Sequence, residues 1–243
     1  MSGPQKCLII GAAGGIGRSL AGLLHQAGWD LVLAGPTADR LGEVAAPVGA
    51  KHATVDARDF DAVDQLFAAQ AGSITAAVNL AGSILLKPAH STSQRDYDET
   101  IDLNLRTAFA VVRAAGKHLK PAGGSVVLMS SCAAAIGLPN HEAISAAKAG
   151  IEGLVRSAAA TYAGAGIRFN AVAPGLVDTP MASRITGNES ALKASIAMHP
   201  LGRIAKPLEV ARLIAHLLDP ASSFITGQVF RIDGGLSSVK GRN

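Results

Sequence analysis

Seven short apolar runs punctuate the chain: CLII (7–10), LVLA (31–34), ATV (53–55), ITAAVNL (74–80), SVVLMS (125–130), IRFNAVA (167–173) and GQVFRI (227–232). They are apolar at consecutive rather than alternate positions, as in parallel strands buried on both faces. Between them, helix-period segments fall at about 15–27, 38–46, 59–70, 94–119, 142–164 and 207–218. Strand–helix alternation of this kind predicts an α/β, doubly wound domain, a seven-stranded parallel sheet flanked by helices. No linker, composition break or repeat divides residues 1–243, so the expectation is one domain. One stretch breaks the rhythm. Residues 175–200 are long for a connection in a compact domain, and such segments are usually lids or binding loops. A short helix is expected around 189–197 within it.

Composition supports a packed domain. Hydrophobic residues are 49% and charged residues 16%, which argues against disorder. Aromatics are only 4%, so small aliphatic residues must do the packing. The net charge is +4, but the 22 basic residues are dispersed, without the patch that nucleic-acid binding requires. Cys7 and Cys132 stand far apart and in no metal-ligand spacing, so reduced thiols and no metal site are expected. No run reaches the ~18 apolar residues of a membrane helix, and the first residues do not read as a signal peptide. The expectation is a cytoplasmic protein with no membrane partner.

The first strand runs into GAAGGIG, residues 11–17, and then a helix. Gly11, Gly15 and Gly17, with Ile16 between the last two, suit a sharp turn that brings backbone close to a pyrophosphate at a helix N-terminus. Asp56 ends the third strand, where a carboxylate can accept from an adenine amino group. Asn79, Ala81 and Gly82 belong to NLAG at the end of the fourth strand, whose small residues leave room beside a ribose. The second strand ends in Gly35-Pro36-Thr37, with neither the acidic residue that favours NAD nor an Arg at the strand end that favours NADP. Thr37 and Arg40 can reach a phosphate, and the choice between NAD and NADP stays open.

These pieces name a resemblance. The chain resembles the short-chain dehydrogenase/reductases over essentially its whole length. GAAGGIG, NLAG at 79, Asn104 in DLNLRTAF, MSS at 129–131, Lys148, NAVAPGLVDTPM at 170–181, PLGR at 200–203 and ITGQVFRIDGG at 225–235 carry it. The resemblance implies a Rossmann-type fold, a nicotinamide cofactor, NAD or NADP, and a small carbonyl or alcohol substrate. It also implies roles. Asn104 holds a water, Ser131 polarises the substrate carbonyl, and Lys148 binds the nicotinamide ribose. Pro174-Gly175 turns under the nicotinamide, Val177 and Thr179 contact its carboxamide, and two long helices form a homodimer or homotetramer interface. The family's Tyr position falls on Ile144, and Ile10 stands where the family usually has Thr.

A phenol one helical turn from Lys148 would be poised to protonate an alkoxide. Such proton transfer contributes about 10²- to 10⁴-fold. Ile144 cannot supply it. Tyr97 reads as packing, and Tyr162 lies roughly 27 Å along the helix. His141, three residues before Ile144, is the nearest replacement; Glu142 or a water held by Ser131, Asn104 and Lys148 are others. Cys132 reads as a small buried thiol. Two readings follow: an oxidoreductase with an atypical proton donor, and a non-catalytic nucleotide-binding scaffold or redox sensor.

Overall fold

The computed structural model describes residues 5–119 and 123–240. Strands β1 (Lys6–Ile10), β2 (Asp30–Gly35), β3 (Lys51–Thr54), β4 (Ala76–Asn79), β5 (Gly124–Met129), β6 (Ile167–Pro174) and β7 (Val229–Ile232) form one sheet. Its order is β3-β2-β1-β4-β5-β6-β7, and every pairing is parallel. The order reverses beside β1, so the C-terminal ends of β1 and β4 open a crevice, the place where such sheets bind ligands.

One core covers each face. Helices α1 (Gly15–Gln26), α2 (Ala38–Ala45) and α9 (Pro207–Leu218) pack on one side, with Leu20, Leu41 and Ile214 inside. Helices α3 (Phe60–Ala68), α5 (Thr107–His118) and α6 (Glu142–Tyr162) pack on the other, with Phe67, Val111, Val155 and Phe169 inside. Because both faces are covered, the central strands carry consecutive apolar residues rather than alternating ones; β1 buries Cys7 to Ile10 completely or nearly so. β3 is the exception. It is an edge strand, and KHAT, offset two residues from the expected run, leaves Lys51, His52 and Thr54 exposed. Tyr162 packs its ring on Phe169, 5.5 Å between centroids, in the second core.

Two segments differ from the sequence pattern. The helix expected over 94–119 is divided: α4 (Gln94–Ile101), a π-helical turn Asp102–Arg106, then α5. Apolar periodicity cannot reveal one extra residue in a turn. The long segment after β6 folds into a 3₁₀ turn at Pro180–Ala182, α7 (Ser183–Thr186) and α8 (Glu189–Met198). The expected short helix is α8.

Candidate active site

β1 delivers the chain into Gly11, which adopts φ +81°; a Cβ there would lie 2.7 Å from the Leu80 carbonyl carbon. Only glycine suits both conditions. Gly11 N and Ala12 N then donate to Ala34 O, at 2.8 and 3.2 Å, fixing the loop to β2. Gly17 is tighter still, its imagined Cβ 2.5 Å from Ala12 O. α1 begins at Gly15 with Gly14 as its N-cap, no side-chain cap and no acidic residue in its first turn. Its leading N–H groups, left without a side-chain acceptor, make a site for an anion.

This helix end lines one wall of a cavity of about 920 Å³. Grouped on the lining are Thr37 and Arg40, from the start of α2, and Asp56 and Arg58, from the turn after β3. Arg58 grips Asp56 with its guanidinium at 2.7 Å and holds its carboxyl below the ordinary range. The middle is walled by Ala81 and Gly82 after β4. Asn79, also expected here, does not line the cavity. It is buried, accepts from Ala81 N at 3.1 Å and donates to Thr107 Oγ1 at 3.1 Å, so it shapes the Leu80–Gly82 wall from behind.

The other end gathers Asn104, Ser131, Ile144, Lys148, Pro174, Gly175, Val177 and Thr179. Asn104 sits in the π turn. Its Nδ2 donates to Thr100 O at 2.9 Å and to Ser83 Oγ at 3.1 Å, while its Oδ1 accepts from Ser83 N at 3.3 Å. The side chain thus ties the π turn to Thr100 O and to Ser83; π turns recur at functional sites. Ser131 caps the short turn after β5, its Oγ accepting from Ala133 N at 3.2 Å, which leaves its O–H to donate elsewhere. Lys148 is buried, 7% exposed, and its Nζ donates to Met129 O at 2.9 Å. Behind it the Ser130 hydroxyl reaches Lys148 O (3.2 Å) and the buried Glu152 carboxylate (3.1 Å), clamping α6 to β5. Burial pushes the Lys148 ammonium down to about 8. Gly82 and Asn104 close in from the opposite wall: a Cβ on Gly82 would lie 2.8 Å from Asn104 Oδ1 and 3.6 Å from Lys148 Nζ.

The structure does not bring His141 to this cavity. It sits just before α6, and its Nδ1 lies 2.7 Å from Pro139 O. Cys132 is buried, and desolvation pushes its thiol up to about 11, so it is not a thiolate. Among the described residues no His, Cys, Asp and Glu cluster suits a metal, and no helix is long and apolar enough to cross a membrane.

The family model described as "Enoyl-(Acyl carrier protein) reductase" matches residues 11–237, nearly everything from the glycine loop to the end of the sheet. The chain belongs to the short-chain dehydrogenase/reductase family. It is 38% identical over 97% of both chains to a cis-4-hydroxycyclohexanecarboxylate dehydrogenase of Sinomonas cyclohexanicum. It is 33% identical to a cyclohexanol dehydrogenase of an Acinetobacter species, over 96% of this chain and 95% of that one. Among solved structures, it superposes on an actinorhodin polyketide ketoreductase variant crystallised with NADPH. That match has a TM-score of 0.91 and 26% identity, and covers 97% of this chain and 98% of the other.

Several lining residues of this dehydrogenase/reductase carry no sequence signal. Ile84, Leu176 and Met181 add to the apolar lining to which Ile144 belongs, and Ser83 and Met129 O hold Asn104 and Lys148 in place. Leu176 and Met181 lie in the long segment whose composition is unremarkable, and Met129 acts through its backbone.

Proposed function

We propose that this dehydrogenase/reductase is an NAD(P)-dependent enzyme that interconverts a carbonyl and a secondary alcohol. The observation that carries the reading is the single cavity, which joins an uncapped helix N-terminus to Ser131, Asn104 and Lys148. The dinucleotide, when bound, supplies or accepts hydride. In this reading the α1 N–H groups take its pyrophosphate and Asp56 its adenine. Lys148 takes the nicotinamide ribose, and Val177 and Thr179 its carboxamide. Ser131 donates to the substrate oxygen, and Asn104 holds a water. Ile144 occupies the family's Tyr position, so the proton comes from another group. The apolar rim of Ile84, Ile144, Leu176 and Met181 suits an alicyclic substrate, in keeping with the names of the two curated relatives.

Calorimetric titration with NADH and with NADPH tests this first. Binding of either is expected; binding of neither at near-millimolar concentration would end the hydride-transfer reading. A panel led by cyclohexanol and cis-4-hydroxycyclohexanecarboxylate, with the cofactor that binds, follows. The scaffold reading rests on Ile144, 5% exposed and apolar at the centre of the site. It would prevail if cofactor bound, nothing in the panel turned over, and Ile144→Tyr gained activity.

The assembly is proposed to be a homodimer or homotetramer through α5 and α6. The outer face of α6 carries the small residues Ala146, Ala149 and Ala160, and α5 exposes Phe109. Sedimentation velocity at micromolar concentration reads the outcome, and a monomer would refute it. Two buried free thiols, Cys7 and Cys132, suit a reducing compartment.

A further inference from the structure

We propose that Lys148 is itself the proton carrier of the reaction: its Nζ gives a proton to the carbonyl oxygen in reduction and takes one from the hydroxyl in oxidation. This rests on the oxidoreductase reading above and asks which atom completes it.

The argument begins with an inventory of the cavity wall. Among the described residues, four titratable side chains line it: Arg40, Asp56, Arg58 and Lys148. The first three lie in α2 and the turn after β3, and Asp56 and Arg58 are tied to each other. Lys148 alone stands at the end that holds Ser131, Asn104 and the turn after β6. The other proton carriers considered lie elsewhere. Tyr162 packs in the core on Phe169, Tyr97 is exposed on α4, and the Cys132 thiol is buried. His141 and Glu142 do not line the cavity, and the His141 ring already faces Pro139 O.

Ile144 changes what Lys148 can do. One turn before it on the same helix, Ile144 presents a buried aliphatic side chain in place of a hydroxyl. An ammonium has three N–H donors. Met129 O accepts one, and no other acceptor for Nζ is found among the described residues. Nζ also stands 3.6 Å from the point where a Gly82 side chain would begin, so the absence of one keeps its approach to the cavity open. The same burial that lowers its proton affinity, to about 8, makes it an acid that can release a proton near neutral pH.

The step balances simply. As the carbonyl carbon receives hydride from a reduced nicotinamide, its oxygen takes a proton from Lys148 Nζ. A C–H and an O–H bond form, the carbonyl is reduced, the nicotinamide is oxidised, and Lys148 is left as a neutral amine that recovers a proton from water. Because the ammonium is the donor, reduction needs pH below the Lys148 midpoint and oxidation needs pH above it.

Three variants and one titration decide the matter. Lys148→Arg retains a cation for the ribose but cannot release a proton. It is expected to bind the cofactor by calorimetry yet lose about 10²- to 10⁴-fold in kcat for cyclohexanone reduction, as Lys148→Met does at saturating cofactor. His141→Ala is expected to keep kcat within threefold, about 0.7 kcal/mol of barrier. In the wild-type protein, lysine-labelled NMR follows Lys148, assigned by its loss in either variant. Its midpoint is expected near 8, and kcat for reduction is expected to fall tenfold per pH unit above that same midpoint. Turnover restored in Lys148→Arg would assign Lys148 to charge alone and overturn the proposal. So would a Lys148 midpoint at the ordinary lysine value, or a kcat lost with His141→Ala. Failure of the wild type to bind either cofactor would instead overturn the oxidoreductase reading beneath it.

Discussion

At the scale of single residues, the glycines were the most legible part of the site. Gly11 and Gly17 announce themselves because no other residue fits both the turn and the neighbouring backbone. Gly11→Ala would place a Cβ 2.7 Å from Leu80 C at φ +81°. It is expected to lower stability by at least the ~1–3 kcal/mol of a strained backbone, read as a lower urea midpoint. Gly82→Ala tests the site rather than the fold. Its Cβ would meet a side-chain amide oxygen, Asn104 Oδ1, at 2.8 Å. The expected result is a loss of turnover of tenfold or more, about 1.4 kcal/mol of barrier, with the thermal midpoint shifted far less than by Gly11→Ala. What a sequence cannot give is direction. His141 and Lys148 stand at similar chain distances from Ile144, three and four residues, yet the chain turns His141 toward Pro139 and brings Lys148 into the cavity. Asn79 likewise belongs to a motif that touches the cavity, but its own amide bonds Thr107 and Ala81 instead.

At the scale of elements, strands and helices were readable because a doubly covered sheet demands unbroken apolar runs. The departures have local causes. The edge position of β3 removes the demand for apolarity, and the π turn inserts a residue that period counting averages away. Asn104→Ala would remove the three hydrogen bonds that tie the π turn to Thr100 and Ser83; a cost of about 1–3 kcal/mol is expected, measured by urea unfolding. Helix starts carry a pH signature. Asp96, held by Lys87 and Ser93 at the start of α4, and Glu209, held by Arg203 and Lys206 N at the start of α9, are both pulled down to about 2. A folded value below the unfolded one stabilises at pH above the ordinary carboxylate range and is lost as pH falls through that range toward 2. The gap in urea midpoint between wild type and Asp96→Asn is therefore expected at pH 6 and should close as the pH is lowered to 2. These groups are about a third open to solvent, so the effect is modest.

At the scale of the whole molecule, the sheet order puts every functional strand end on one rim, and the sequence implied this once seven parallel strands were read. The apolar wall of the cavity was only partly legible, because Leu176 and Met181 come from the long segment after β6. That segment has a neck. Ala205 N donates to Leu176 O and Asp178 N to Ala205 O, each at 2.9 Å, so the chain leaves and returns at one place. His199 ties the same neck, with Leu176 N donating to its Nε2 at 3.2 Å while its Nδ1 faces Ser195 O at 2.6 Å. Beyond the neck, neither α7 nor α8 buries a single side chain. The segment hangs from the rim of the sheet like a cartridge in a socket. Replacing residues 181–198, which begin with the cavity-lining Met181 and Ala182, by an unrelated stretch of equal length should shift the thermal midpoint little while changing which alcohols are turned over. A lineage that kept the socket could acquire new diets by recombination alone, without ever renegotiating the fold.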